Sequence, residues 1–209
     1  NEAASYSDTG RLLSMNDEFL SMSRSQPASS SLIALSESFS QVRSQSVERC
    51  EPLLVEDYVV QTMPDVSPPK WHLAHVSWFF ETFILVPYLK DYRSFNPQFN
   101  DLFNSYYQGI GKPFPRAQRG LLSRPSVAEL YSYRGHIDAN INDLIASLDC
   151  HRDNLKIREL ILLGLNHEQQ HQELLMTDIK HILGSNPLFP AYVNNSAPPA
   201  QHSTVALDW

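Results

Sequence analysis

The sequence predicts an all-α fold, a four-helix bundle with a long structured loop between helices two and three. Three observations carry that expectation. Four segments repeat apolar residues at helical spacing. Each is bounded by Pro, Gly or capping residues. No stretch alternates apolar with polar residues as a half-buried strand does. Helices of such lengths bury their apolar stripes most simply against one another.

Residues 1 to 30 are polar and Ser-rich without sustained periodicity, which predicts a flexible tail outside the core. From Ser31, the residues Leu32, Leu35, Phe39, Val42 and Val47 recur at helical spacing until Glu51-Pro52 stops the pattern. Residues 57 to 63 read as a shorter helical piece before "PDVSPP" punctuates the chain. Ser67 then offers an N-cap, and Pro68 a first-turn proline, to helix two. That helix, "KWHLAHVSWFFETFILV", carries Trp71, His75, Trp78, Phe79, Thr82 and Leu85 along one side. Residues 87 to 125 are rich in Pro, Gly, Tyr and Phe and hold no period for long. A loop of that length in a compact domain usually has a task, often as the wall of a site. Ser126 opens a capping box, S-V-A-E with Glu129 at its third position, and helix three follows through Leu130, Tyr133, Ile137, Ile141, Leu144 and Leu148. Helix four spans residues 153 to 183 with Leu155, Leu160, Leu163, Leu174, Leu175 and Ile182 as its apolar set, Gly184 as its stop and Asn186-Pro187 beyond.

Composition narrows the function classes. A chain of 209 residues, 42% hydrophobic, buries one sizeable core, so one compact domain over residues 31 to 190 is expected. The net charge of −7 argues against nucleic acid or an anionic membrane as main partner and favours small molecules. The longest apolar run, residues 76 to 86, is interrupted by Ser77, Glu81 and Thr82 and is too short to span a bilayer; the N-terminus lacks a signal-peptide core. A cytoplasmic location is the expectation. Cys50 and Cys150 have no metal-type spacing and read as buried free thiols. The chain opens on Asn1 and stops at "VALDW", after the linker-like "NNSAPPAQHS", so residues 191 to 209 read as a linker with more chain expected beyond.

The chemistry gathers in "NHEQQHQELL", where His167 and His171 stand four apart. On a helix that spacing sets two imidazoles about 40° apart around the axis and about 6 Å apart along it, so both can reach one metal ion. An isolated pair of this kind is ordinarily solvated or core; a third donor changes the reading. His75, on the aromatic side of helix two, is such a donor, because a buried imidazole needs a partner. His72 points about 60° away and reads as a partly exposed surface group or one that braces a ligand. His136, His151, His181 and His202 read as structural or solvent-facing. "HEQQH" also has the form of a zinc-protease motif with Glu168 as general base, but the sheet and the downstream third ligand of such enzymes are missing.

"SPPKWHLAHVSWFFETFIL", then "YYQGIGKPFPRAQRGLLSRP", then "NHEQQHQELLMTDIKHIL" resembles, in this order and spacing, the N-terminal DinB-like domain of the ergothioneine-biosynthesis sulfoxide synthases, the EgtB family. The resemblance covers roughly residues 30 to 190. It implies a DinB-like bundle in which His75, His167 and His171 hold a non-haem Fe(II). It implies a reaction in which O2 is used to join a thiol, from cysteine or γ-glutamylcysteine, to C2 of the trimethylhistidine imidazole, giving a sulfoxide. It also implies that Gln170 helps to place the histidine-derived substrate, and that a formylglycine-generating-enzyme-like domain of the same chain follows, bringing a catalytic tyrosine. Arg116 and Arg119 in the loop have the chemistry to hold a substrate carboxylate. Tyr106, Tyr107 and Phe114 read as loop core rather than substrate wall.

Other functions compete. A DinB-type, thiol-dependent transferase or hydrolase would use a divalent ion as Lewis acid without O2. An ovothiol-type or selenoneine-type synthase would share the triad, and a non-enzymatic bundle would keep a structural metal.

Overall fold

The computed structural model describes residues 28–105 and 113–193. The expected tail, the loop aromatics Tyr106 and Tyr107, His202 and the expected start of a further domain therefore lie outside the described residues, apart from the first residues of α1. Among those described, four long helices and no strand are present. They are α1 (Ala28–Glu48), α2 (Pro69–Phe80), α3 (Val127–Ala146) and α4 (Asn154–Ser185). A 3-10 turn, Val55–Val59, precedes α2; a π turn, Glu81–Leu85, and a short piece, Val86–Tyr88, extend it. The loop between α2 and α3 carries one helical turn, Phe99–Leu102, and a 3-10 turn, Arg116–Leu121.

α1 and α2 each pack against both α3 and α4, so the cyclic order around the bundle is α1, α3, α2, α4. Every residue of Pro69–Phe80 is buried. Two sides of α2 face α3 and α4, and the 3-10 turn Val55–Val59 also packs on it. Phe99 and Phe103, from the loop, join the same core. This is why a helix with little amphipathic character is stable here: it is surrounded, and each fully buried Leu or Phe contributes about 1.5–3 kcal/mol. The loop expected as a wall therefore also gives the core a structural layer through Phe99 and Phe103.

Three local details correct the sequence expectations. Pro68, not Ser67, is the N-cap of α2, with Pro69 in the first turn. Ser67 is occupied on both sides: its backbone N–H donates to Asp178 and its hydroxyl accepts from Arg119. Gly184 does not stop α4, which runs to Ser185. Cys50 is buried but Cys150 is exposed, and neither is in a disulfide. Ser126 does cap α3, its hydroxyl accepting from the backbone N–H of Glu129 at 3.2 Å.

The buried face of α4 matches the expected one in part, since Leu175 and Ile182 are buried and Leu160 packs against the core. Leu155, Leu163 and Leu174 point outward, and the core side is Ile157, Ile161, Gly164, Leu165, Glu168, Gln172, Leu175, Ile179 and Ile182. The stripe passes through two polar residues, Glu168 and Gln172, whose partners compensate their burial. Gly164 marks the close crossing of α2: a Cβ there would lie 2.6 Å from the Phe80 ring. No helix among the described residues is long and apolar enough to cross a membrane.

Candidate metal centre

At the α2–α4 crossing the structure brings together His75, His167 and His171, one ligand nitrogen of each lying within 4.8 Å of the others. Their ring centroids are 5.0 Å apart for His75 and His167, and 4.7 Å for each of the other two pairs. The helix α4 supplies two donors one turn apart, and α2 supplies the third from the opposite side. His75 is 2% exposed, whereas His167 and His171 are half-buried, so the cluster opens on the α4 side.

The rings are held by their surroundings. His75 is stacked between Trp71, at 4.5 Å and 12°, and Trp78, at 5.4 Å and 16°. Its Nδ1 lies 2.6 Å from the Phe103 carbonyl oxygen. A carbonyl only accepts, so Nδ1 carries the proton and Nε2 keeps its lone pair. His171 Nδ1 is 2.9 Å from Nδ1 of His72, whose Nε2 is 2.9 Å from Asp178. His167 Nδ1 is buried without a hydrogen-bond partner.

Burial also decides protonation. It pushes His167 down to about 4. It holds His75 and His171 far below the ordinary imidazole range, with neighbouring histidines adding to the effect, and it lowers His72 despite Asp178. Neutral imidazole is the form that binds metals. Three neutral imidazoles from two rigid helices, one of them with a buried, orphaned nitrogen, fit a divalent ion, with bond lengths of about 2.0–2.1 Å for zinc drawing them closer together. This donor set suits Fe, Zn, Ni and Cu alike.

The other expected site residues are less uniformly placed. Arg119 is buried beside the cluster, its guanidinium carbon 3.2 Å from the Trp71 ring centroid and its Nη1 donating to Ser67 Oγ at 2.8 Å. Arg119, Trp71, His75 and Trp78 thus form one layered stack. Arg116 is exposed and donates to the Asp65 carbonyl. Gln170 is exposed on α4, immediately before His171. Phe114 is half-buried. His181 is exposed, against Thr62, and His151 meets the Tyr88 carbonyl, consistent with structural roles.

Glu168 does not face the triad. It is 0% exposed and accepts from Arg43 Nη1 at 2.9 Å, Arg134 Nη2 at 3.1 Å and Ser46 Oγ at 2.7 Å. Burial alone would raise its carboxyl, but Arg43 and Arg134 outweigh that and hold it below the ordinary range. A carboxylate spent in this way does not serve as a base at the metal, so the zinc-protease form of "HEQQH" is coincidental.

Sequence reasoning missed His72 as a buried residue, and missed Asp178 and Arg43, Arg134 and Gly164 altogether. Asp178 was detectable: it stands seven residues after His171, on the same helix face. The two arginines carry no such signal, because they come from α1 and α3.

The model of the DinB superfamily matches residues 38–175. No curated protein matches the chain. The match runs from α1 through α4 and includes all three clustered histidines, and it agrees with the bundle described above. The chain belongs to the DinB superfamily.

Proposed function

We propose that the triad holds one Fe(II) and that the chain is the iron-binding domain of an O2-dependent sulfoxide synthase, joining a cysteine-type thiol to the imidazole of trimethylhistidine. The observation that carries this reading is a three-histidine cluster that is buried at one donor and accessible at the other two. His75 is buried while His167 and His171 are half-buried, so the cluster is reached from solvent past the two α4 histidines. The superfamily includes metal-dependent enzymes, and the motifs around these histidines resemble those of the sulfoxide synthases. When bound, Fe(II) supplies a Lewis-acidic, redox-active centre with positions left for thiolate, imidazole and O2.

The chain's own residues have separable tasks in this reading. Trp71, Trp78 and the Phe103 carbonyl hold the His75 ring. Gln170, exposed beside His171, contacts the imidazole substrate, and Leu163 and Leu174 give it an apolar border. Arg119 contributes positive charge for a substrate carboxylate, with Arg116 farther out.

The test is to take the native polypeptide that carries this domain together with the expected catalytic-tyrosine domain, load it with Fe(II) without oxygen, add trimethylhistidine with cysteine or γ-glutamylcysteine, and then admit O2. Oxygen uptake with a C–S coupled sulfoxide by mass spectrometry, lost in His167→Ala and His171→Ala, is the expected result. Thiol turnover that needs Zn2+ and consumes no O2 would favour the thiol-dependent transferase.

A further inference from the structure

His72 and Asp178 lie outside the triad yet are bonded into it. Asp178 Oδ2 accepts the Ser67 backbone N–H at 2.8 Å and lies 2.9 Å from His72 Nε2. A carboxylate offers only acceptors, so His72 Nε2 donates. The two Nδ1 atoms of His72 and His171, 2.9 Å apart, share one proton. If that proton sat on His72, both its nitrogens would carry protons and the ring would be a cation in a site where it is 4% exposed. Asp178, bonded to its other nitrogen, would offset that charge in part. With His72 neutral, its Nδ1 accepts, His171 donates from Nδ1, and Nε2 of His171 is left with its lone pair.

We infer that Asp178 and His72 form a two-step hydrogen-bond relay that fixes the tautomer and ring orientation of His171 and so presents its Nε2 to the metal. Both are positioning residues. His75 has its own device, the Phe103 carbonyl, and the relay performs the same task for His171. Single carboxylate–histidine pairs of this kind commonly tune metal sites; here a second imidazole is interposed. The anchor is tied to the bundle, since the Asp178 oxygen that receives His72 also holds the start of α2 through Ser67.

The inference rests on the metal reading above, and the experiment separates the two. Co(II) is titrated into the whole chain and into His72→Phe, Asp178→Ala and Asp178→Asn, with affinity measured against a competing chelator and the visible Co(II) bands recorded. Asn keeps an acceptor for Nε2–H. The expected result is one Co(II) in the parent chain, an affinity weaker by about 10–100-fold with shifted bands in His72→Phe and Asp178→Ala, and substantial recovery in Asp178→Asn. Binding as tight as the parent, with unchanged bands, in both disrupted variants overturns the relay and leaves the metal reading standing. Absence of Co(II) binding by the parent chain overturns both. Imidazole 15N NMR of the metal-free parent needs no variant. A proton on Nε2 of His72 and on Nδ1 of His171 supports the relay, and a proton on Nε2 of His171 overturns it.

Discussion

A fully buried carboxylate stands between two buried guanidinium groups at Glu168, one residue from a clustered histidine. Arg43 also reaches Asp138 at 2.6 Å and Ser77 at 3.0 Å, while Arg134 donates to the carbonyls of Leu73 and Arg43. The cluster ties α1, α2, α3 and α4 together behind the triad. Removing one partner strands buried charge, so Glu168→Gln should destabilise the fold by about 3–5 kcal/mol, read by urea denaturation. The same variant should still bind one metal ion wherever it is folded. Loss of metal from a folded Glu168→Gln protein would place this carboxylate at the centre after all. The histidines themselves were legible from spacing, because a helix makes i and i+4 neighbours whatever surrounds them. The burial of Glu168 and His72 was not legible, since each depends on partners supplied by other helices.

Among the elements, the crossing of α2 and α4 sets the distance between His75 and the other two donors. Gly164 permits that crossing, and a methyl group there meets the Phe80 ring, itself held against Phe39 and Phe79. Gly164→Ala should therefore cost about 1–3 kcal/mol through overpacking and weaken metal binding by moving the helices apart. Gly135, in α3, has nothing within 4 Å of an added Cβ, and Gly135→Ala should stabilise the fold by about 1 kcal/mol through helix propensity alone. Thermal melts of the two variants should move in opposite directions; a shift of the same sign in both would undo the argument. Periodicity located all four helices to within a few residues. It placed Leu175 and Ile182 correctly but took Leu155, Leu163 and Leu174 as core, because leucines abound on both sides of that helix and the true stripe includes Glu168 and Gln172. It also could not show that α2 is covered on every side, which is a property of the assembled bundle.

In the whole molecule, the buried histidines make metal-free stability depend on pH. Above the ordinary imidazole value of 6.5, folded and unfolded chains are both neutral at His72, His75, His167 and His171, and these groups contribute no pH dependence. As pH falls below that value, the unfolded chain takes up protons that the folded chain refuses, so stability falls, and for His167 the fall continues to about 4. Glu168 acts in the same direction at lower pH. Its carboxyl is depressed when folded, so its contribution is present above the ordinary carboxylate range and is lost as pH falls through the folded value. The melting temperature of the metal-free chain should decline steadily from pH 7 to pH 5. A flat profile would mean that these imidazoles are not buried as neutral groups in solution.

The central claim is that His75, His167 and His171 together hold one metal ion at the α2–α4 crossing. Diffraction from crystals of the Fe(II)-loaded chain, recorded on both sides of the iron absorption edge, tests it most directly. The account predicts a single anomalous peak bonded to a nitrogen of each of these three histidines, with His72 hydrogen-bonded to His171 and not to the metal. A peak elsewhere, a peak ligated by His72, or no peak at this crossing would contradict it.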